Sequence, residues 1–323
     1  MIPKSKLAGK LKIVVLAGGI SHERDISLKS GRRVADALIE KGAQVVMREP
    51  DQDLLSNLKK DKPDVIWPVL HGASGEDGAL RAILALTGIP FVGAGADSAK
   101  LAWDKSIAKI LVSRSGIQTP ASITLPRETF KELDAESVLK LVTKSLALPV
   151  VVKPARSGSA QGVTIVKKQD QLNQAMIDAY VYCDVAVIED FIEGTELAVG
   201  VIDLGAGPIA LPAVEIEPRS GHFGFEERYV AGETDYFVPA RLSKSVSAKA
   251  AKVAIDAHEA LGLRHISRVD MIIDAKGVPW FLEANVLPGL TETSLLPQAI
   301  LAEGSTLGDV YYSLAQVALR GRG

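Results

Sequence analysis

The 323-residue chain has 37 Lys and Arg residues against 39 Asp and Glu residues, so its formal net charge at pH 7 is -2. With neither a basic excess nor a long apolar stretch, it lacks the features of a protein that mainly binds nucleic acid or spans a membrane. The single cysteine, Cys183, excludes an internal disulfide and fits a reducing cytoplasm, and the length allows two or three domains.

In the first part of the chain, predicted strands alternate with predicted helices. The strands fall at 11–17, 43–48, 65–70 and 90–92, and the helices near 26–41 and 78–87. This order predicts a parallel sheet with helices on both faces, in which ligands bind at the carboxyl ends of the strands. Polar residues cluster at two of these ends: Ser21, His22, Glu23 and Arg24 after the first strand, and His71, Glu76 and Asp77 after the third.

A dinucleotide site is the alternative for this region. Such a site needs Gly-x-Gly-x-x-Gly after the first strand, whereas the chain has Ala-Gly-Gly-Ile-Ser-His at 17–22. Glu49, after the second strand, resembles the acidic residue that holds a ribose. The missing glycines make the dinucleotide site the weaker interpretation.

The second part carries a loop typical of phosphate binding. Its predicted strands are 121–125, 149–153, 163–167 and 186–189, and its predicted helices lie near 97–115, 135–147 and 169–180. The Gly/Ser loop at 157–162 lies between two strands, and its small residues would let backbone N–H groups approach an anion. It is not a Walker loop, and alone it is more often only a hairpin connection. Lys153, at the end of the preceding strand, favours a phosphate site.

The third part begins near Gly194, with strands predicted at 196–203 and 209–217. The segment 218–239 has no clear period and mixes charged residues with five aromatic ones, so its length and composition favour a lid over a disordered loop. Helices are predicted near 247–261, 294–303 and 306–319.

The most informative stretch is 268–289, in which two apolar strands are joined by a polar turn. Glu283 and Asn285 are two residues apart, so their side chains leave the same strand face, and Asp270 on the first strand lies roughly opposite them. These oxygen donors, with Arg268 beside them, suit Mg2+ bound together with substrate phosphates. The alternative is a solvated hairpin face, but the second strand is as apolar as a buried one, and a buried carboxylate needs a partner.

Taken in order, these motifs resemble those of D-alanine–D-alanine ligases of the ATP-grasp superfamily, over residues 12–318. The resemblance implies an α/β fold of three domains: an N-terminal Rossmann-like parallel sheet at 1–96, an α+β central part with the phosphate loop at 97–193, and a C-terminal part at 194–323 with the metal site and the lid. The markers are Gly18-Gly19-x-Ser21-x-Glu23-Arg24-x-x-Ser27, Leu70-His71-Gly72-x-x-Gly75-Glu76-Asp77-Gly78, Asp104-Lys105, Val152-Lys153-Pro154-x-x-x-Gly158-Ser159, Arg268-x-Asp270 and Glu283-x-Asn285-x-x-Pro288-Gly289-x-Thr291-x-x-Ser294-Leu295.

The resemblance also implies where ATP and metal would bind, with ATP between the central and C-terminal parts. Asp270, Glu283 and Asn285 would hold two Mg2+ ions, for which Mn2+ can substitute. The implied ATP-binding residues are Lys105 and Lys153 at the phosphates, Ser157 and Gly158 in the loop over them, Glu189 and Ile192 at the adenine, Glu196 at the ribose, and Arg228 in the lid.

The implied reaction joins two D-alanines into D-alanyl-D-alanine for peptidoglycan synthesis. The carboxylate of the first D-alanine attacks the γ-phosphate to give an acyl phosphate, and the amine of the second then displaces phosphate. The implied catalytic and substrate residues are Glu23 at the first ammonium, Arg268 and the Gly289 N–H at the oxyanion, Ser294 and Leu295 at the second carboxylate, Ser159 and Tyr229 in a hydrogen-bonded chain with Glu23, and His71 near the substrates without an assigned role.

Two positions depart from the family pattern. Arg228 stands where many relatives have lysine, and Gln161 stands where a small apolar residue is common, so both bear on lid closure and nucleotide affinity. Tyr229 favours an amine acceptor, because relatives that use D-lactate carry a different residue there.

Two alternatives remain open. The nearer is an ATP-grasp ligase for another amino acid or a hydroxy acid, such as D-serine or D-lactate. The farther is a nucleotide-binding regulatory or scaffold protein, which the intact set of Lys153, Arg268, Asp270, Glu283 and Asn285 argues against. The expected partners are D-alanine and ATP, with no nucleic acid or membrane. A cytoplasmic homodimer is the expected form.

Overall fold

The computed structural model describes residues 10–219 and 232–321. Its N-terminal sheet is parallel, with strand order β2-β1-β3. The strands are β1 (Lys12–Ala17), β2 (Gln44–Arg48) and β3 (Val65–Val69), and the helices are α1 (Arg24–Glu40), α2 (Leu54–Asp61), α3 (Ala73–Glu76) and α4 (Ala79–Leu86).

Alternation along β1 confirms that helices cover both faces of this sheet. Ile13 and Val15 pack into the core that contains α1, whereas Val14 and Leu16 pack into the core that contains α2 and α4. The strand predicted at 90–92 is only a bridge between Ile66 and Phe91. Helix α2 was not predicted.

The helix predicted at 97–115 is two helices, α5 (Ala96–Trp103) and α6 (Lys105–Arg114). Asp104 between them has an extended backbone, and its carboxylate accepts hydrogen bonds from the first-turn N–H groups of α6. An aspartate in this position is a strong helix start signal, and it ends one helix while capping the next. The break places Lys105 at the first position of α6.

The central sheet is antiparallel, with strand order β4-β7-β5-β6. One of its faces packs on helices α8 and α9 to form a separate core. The opposite face presents the side chains that alternate with that core, which include those of Lys153 and Glu189. The elements are β4 (Ser122–Pro126), α7 (Arg127–Glu132), α8 (Ala135–Ser145), β5 (Val150–Pro154), β6 (Thr164–Val166), α9 (Leu172–Tyr182) and β7 (Val185–Asp190).

The C-terminal sheet has strand order β11-β10-β8-β12-β13, with β9 paired to β8. The strand predicted at 209–217 is in fact the pair β9 and β10, and the segment 218–239 contains strand β11, which pairs antiparallel with β10. The elements are β8 (Gly194–Asp203), β9 (Pro208–Ala210), β10 (Val214–Pro218), β11 (Thr234–Phe237), α10 (Lys244–Ala260), β12 (Ile266–Asp274), β13 (Pro279–Asn285), α11 (Leu295–Ala302) and α12 (Leu307–Arg320).

The packing cores cross the predicted domain boundaries. Ala99 and Ala108, from α5 and α6, pack in the core of the C-terminal sheet. Helix α12 packs on the N-terminal sheet, where the rings of Tyr311 and Trp67 meet edge to face at 5.3 Å. The N-terminal and C-terminal parts thus share a core, while the central sheet keeps its own. Within the parts of the chain described here, no helix is long and apolar enough to cross a membrane.

Candidate active site

A cleft of about 690 Å³ lies where the three sheets meet. Residues far apart in the chain line it together, because the carboxyl ends of β1 and β3, the Gly/Ser loop and the end of β13 all face this space. The predicted site residues that line it are Glu23, His71, Lys105, Ser157, Gly158, Ser159, Arg268, Glu283, Asn285, Gly289, Ser294 and Leu295.

The hairpin formed by β12 and β13 brings Asp270 across from the strand of Glu283 and Asn285, as predicted, and its register is now defined. Asp270 pairs with Glu283, and Arg268 pairs with Asn285, with an irregularity directly after Asp270. Arg268 and Asp270 are two residues apart and share a face, and their side chains form a two-pronged ion pair with both N–O distances at 2.7 Å. Burial would lower the pKa of Arg268, but the adjacent Asp270 carboxylate outweighs it and raises that pKa.

The three predicted metal ligands present oxygen donors on one sheet face, which suits Mg2+. Each of them already contacts the protein: Asp270 binds Arg268, Glu283 Oε2 lies 3.1 Å from Lys105 Nζ, and Asn285 Oδ1 accepts from the Leu287 N–H. Within the described residues, no group of three or more His, Cys, Asp and Glu side chains is arranged to hold a metal. The carboxylates of Asp270 and Glu283 and the amide of Asn285 therefore fit an ion that takes its remaining ligands from substrate phosphates.

Two side-chain contacts hold the Gly/Ser loop against other parts of the chain. Lys105 Nζ donates to the Ser157 carbonyl at 2.7 Å, so one ammonium joins the loop to the carboxylate of Glu283, a predicted metal ligand. Ser159 and Ala160 both have positive φ angles, 53° and 56°, which is a strained conformation for residues other than glycine. In this conformation the Ser159 hydroxyl donates to the carboxylate of Glu23, the residue before α1, so the contact joins the central part to the N-terminal part.

Lys153 and Glu189 do not line the cleft but form a buried ionic cluster beside it. The Glu189 carboxylate contacts Lys153 Nζ through one oxygen and Lys109 Nζ through the other. Lys109 was not predicted, although it lies one helical turn after Lys105, and that spacing was a usable signal. Ile192 and Glu196 lie farther along the connection from β7 to β8 and at the start of β8.

The far end of the cleft is built around the start of α11. Ser294 is the N-cap residue, and the helix begins at Leu295, so the first N–H groups of the helix face this end. The Ser294 hydroxyl accepts from the Thr291 N–H at 3.0 Å. A side chain at Gly289 would place its Cβ 2.7 Å from Ser294 Oγ, which explains the glycine there.

His71 is buried against the segment that follows β13. Its Nδ1 lies 3.2 Å from the Leu287 carbonyl, so this nitrogen is the proton donor, and its Nε2 lies 3.5 Å from Ser30 Oγ. Burial lowers the pKa of His71, which keeps the ring neutral at pH 7. Ser30 also accepts from the Leu290 N–H, so it links α1 to the segment after the hairpin of β12 and β13.

Glu76 lines the cleft, but the sequence motifs assigned it no role. It is 7% exposed, and its Oε1 accepts from the Gly72 N–H at 2.9 Å. Burial and the charge of Glu23 raise the pKa of this carboxyl from 4.5 to about 8. The group is therefore largely protonated in the folded protein at neutral pH.

We predict that Glu76→Gln changes the pH dependence of stability. Since the folded pKa lies above the unfolded one, the group stabilises the fold at pH below 4.5 and loses this contribution as pH rises through about 8. Glutamine keeps the acceptor but cannot ionise. The Tm of the variant relative to wild type should therefore rise by at least about 2 °C between pH 5 and pH 8.5 in calorimetry. A constant Tm difference over this range would contradict the raised pKa.

The alternative of a dinucleotide site does not fit the end of β1. Glu49, its candidate ribose ligand, pairs with Arg24 at 2.7 Å. A Cβ at Gly18 would lie 2.4 Å from the Glu49 carboxylate, so this carboxylate packs directly against the backbone at the end of β1. The other two predicted residues, Arg228 and Tyr229, lie outside the described residues.

Comparison with known proteins agrees with this arrangement. A family model described as "D-ala D-ala ligase N-terminus" matches residues 47–94, and one described as "D-ala D-ala ligase C-terminus" matches residues 111–316. The chain is 37% identical to a D-alanine–D-alanine ligase of Bordetella petrii over 98% of this chain and 94% of that protein. It is 38% identical to the one of Geotalea uraniireducens over 92% and 91% of the two chains.

Solved structures resemble the whole chain as well. The VanG D-Ala:D-Ser ligase of Enterococcus faecalis matches with a TM-score of 0.83 at 28% identity, covering 96% of this chain and all of that one. The D-alanine–D-alanine ligase of Bacillus anthracis complexed with ATP matches with a TM-score of 0.80 at 28% identity, covering 97% and 98%. The chain therefore belongs to the D-alanine–D-alanine ligase family of the ATP-grasp superfamily.

Proposed function

We propose that the chain catalyses ATP-dependent joining of two D-alanines into D-alanyl-D-alanine, with release of ADP and phosphate, as a step of peptidoglycan synthesis. The observation that carries this proposal is the single cleft. It combines the cations Lys105 and Arg268, the oxygen donors of Glu283 and Asn285, and the Glu23 carboxylate. These are the groups that a carboxylate–amine ligase needs to bind phosphates, a carboxylate and an ammonium.

Each group has a proposed task in the cleft. The Glu23 carboxylate would attract the ammonium of the first D-alanine and orient its carboxylate toward the γ-phosphate, which the loop at 157–162 and Lys105 would hold in place. Arg268 and the Gly289 N–H would stabilise the negative charge that develops when the second amine attacks the acyl phosphate carbonyl. The start of α11, at Ser294 and Leu295, would bind the second carboxylate.

The metal site and the nucleotide contacts also remain proposals. Asp270, Glu283 and Asn285 would hold two Mg2+ ions, or Mn2+ in their place, and the bound metal would neutralise phosphate charge during transfer. Glu189 and Ile192 would hold the adenine through the segment after β7, Glu196 the ribose, and Arg228 the phosphates from the segment 218–239. The remaining proposals are a homodimer, a cytoplasmic location, and the domain boundaries at residues 96/97 and 193/194.

The test is phosphate release from ATP and Mg2+ with single D- and L-amino acids and with pairs of D-alanine and D-serine or D-lactate. D-Alanine alone should give the fastest release, with D-alanyl-D-alanine as the product. Faster release with D-alanine and D-serine together would indicate a ligase of the D-Ala-D-Ser type. No release with any acceptor would favour a nucleotide-binding protein without ligase activity.

We predict that Tyr229→Phe alters acceptor choice. By the family resemblance, the Tyr229 hydroxyl completes a hydrogen-bonded chain with Ser159 and Glu23, and the Ser159–Glu23 contact is present. Removing only this hydroxyl should lower the rate of dipeptide synthesis, or raise the rate with D-lactate, by at least about tenfold. This factor corresponds to roughly 1.5–3 kcal/mol, the contribution of one charge-assisted hydrogen bond. A wild-type rate together with wild-type preference for D-alanine over D-lactate would mean that Tyr229 only packs in its segment.

A further inference from the structure

The buried cluster of Lys109, Lys153 and Glu189 contains more charge than a simple ion pair. The side chains of these residues are 4%, 8% and 3% exposed. One carboxylate is shared by two ammonium groups, with Lys153 Nζ at 2.5 Å from Glu189 Oε1 and Lys109 Nζ in contact with Glu189 Oε2. The cluster therefore carries one net positive charge in a region where water screens little.

The fold explains how the three side chains meet. Glu189 on β7 pairs with Val151 on β5, so Glu189 and Lys153 leave the same face of the central sheet as diagonal neighbours. Helix α6 adds the side chain of Lys109, which lies four residues after Lys105 on the same side of the helix and contacts Glu189.

Two lysines at this spacing repel each other unless each has an acidic partner. Glu283 lies 3.1 Å from Lys105, and Glu189 contacts Lys109, so α6 carries one cation to the metal carboxylate and one to the cluster.

Lys109 does not line the cleft, whereas Lys105 does. Lys153 does not line it either, but the family resemblance assigns the phosphates of ATP to Lys153 and Lys105 and not to Lys109. Its effect on the cluster is clear, because without Lys109 the Glu189 carboxylate would neutralise Lys153 completely. A phosphate arriving at Lys153 would then meet a neutral pair, and the attraction between opposite charges would be lost.

We propose that Lys109 is a positioning residue that shares the Glu189 carboxylate, so that Lys153 keeps a net positive charge for the phosphates of ATP. The inference rests on the proposed phosphate-binding role of Lys153. Burial would raise the pKa of Glu189, but the two adjacent ammonium groups outweigh it and lower that pKa, so the carboxylate is ionised and able to serve both lysines.

The first test compares how Lys109→Met affects the binding of ADP and of adenosine, which has no phosphate. Affinity for ADP should fall by about tenfold or more, as expected when a charge-assisted interaction is removed, while adenosine binding should change less than about twofold, because Lys153 still holds the Glu189 carboxylate that is proposed at the adenine. The control is Lys252→Met, which removes a lysine that pairs with Asp256 on the surface of α10 and should leave both affinities unchanged. Equal losses for the two ligands, or no loss for ADP, would overturn the proposal.

Two further variants separate charge from packing. Lys109→Arg keeps the charge and should bind ADP within about threefold of wild type; if it binds as weakly as Lys109→Met, charge is not the cause. In a Glu189→Gln variant, no carboxylate neutralises Lys153. Adding Lys109→Met to this variant should therefore lower its ADP affinity only slightly. The same loss in both backgrounds would show that Lys109 acts without Glu189.

Thermal unfolding of each variant shows whether it is folded before its affinity is interpreted. If Lys109→Met does not fold, Lys109→Gln, which also removes the charge but keeps a polar side chain, takes its place in each comparison with the same expected outcomes. A wild-type protein that binds neither ADP nor adenosine would overturn the proposed function itself. Wild-type ADP binding that is unaffected by the loss of Lys109 would overturn this inference alone.

Discussion

Glu283→Gln should lower ATP- and D-alanine-dependent phosphate release by about 100-fold or more while leaving the protein folded. Glu283 lies opposite Asp270 on the paired strand, lines the cleft, and contacts Lys105 at 3.1 Å. Glutamine has nearly the same shape and can still accept a hydrogen bond from the Lys105 ammonium. The change therefore removes mainly the negative charge that a metal bound with phosphates would need.

The matched control is Glu292→Gln, which changes another glutamate that lines the same cleft but lies outside the predicted metal ligands. Its rate should stay within about threefold of wild type, because an exposed cleft charge contributes little to a specific interaction. The Mg2+ concentration that gives half-maximal rate should also be higher for Glu283→Gln than for wild type. Near-normal turnover in a folded Glu283→Gln protein would show that the hairpin does not hold the metal.

The hairpin was predictable because its chemistry follows from local spacing. Glu283 and Asn285 share a face by strand alternation alone, and a short turn brings the strand that carries Asp270 beside them, whereas the pairing of Asp270 with Glu283 itself depends on the irregularity after Asp270. The ion pair between Arg268 and Asp270 follows from the same two-residue spacing. Local patterns of this kind need no knowledge of the remaining chain.

Contacts between distant segments were not predictable from spacing. Ser159 and Glu23 are 136 residues apart, and only the family resemblance connected them before the structure did. The burial of Glu76, which determines its raised pKa, depends on packing among three sheets, and no local pattern encodes it. The same limitation hid the contact of Lys109 with Glu189, which is 80 residues away, although its spacing from Lys105 was a local signal.

Two errors in the predicted elements have local causes. The helix predicted over 97–115 continued through Asp104 because the flanking residues are good helix formers on both sides, although aspartate is itself a start signal. Strand β11 was missed because Thr234–Phe237 is only four residues long and lies within a charged segment without a clear period. The break at Asp104 follows from its own capping carboxylate, whereas β11 forms by pairing with β10.

Arg268→Lys should lower kcat for dipeptide synthesis by about 100- to 1,000-fold, the loss seen when a group that stabilises an oxyanion is removed. The guanidinium uses Nε and Nη2 to hold both oxygens of Asp270, so it is fixed in place and lines the cleft next to Asn285. Lysine keeps the positive charge, so the buried Asp270 still has a partner. Its ammonium lacks the planar, fork-shaped guanidinium, which can bind one carboxylate and at the same time donate to the substrate.

The matched control is Arg48→Lys, because Arg48 and Asp61 form the same kind of two-pronged pair, at 2.9 and 3.1 Å, in the N-terminal part and away from the cleft. That variant should keep wild-type kcat. Any decrease in its free energy of unfolding measures the effect of replacing a two-pronged guanidinium contact by an ammonium. For Arg268→Lys the KM for ATP should change far less than kcat, because the interaction forms only as charge develops on the substrate carbonyl. A folded Arg268→Lys protein with kcat within about fivefold of wild type would mean that the Arg268 guanidinium only neutralises Asp270, and the oxyanion would then need a different donor.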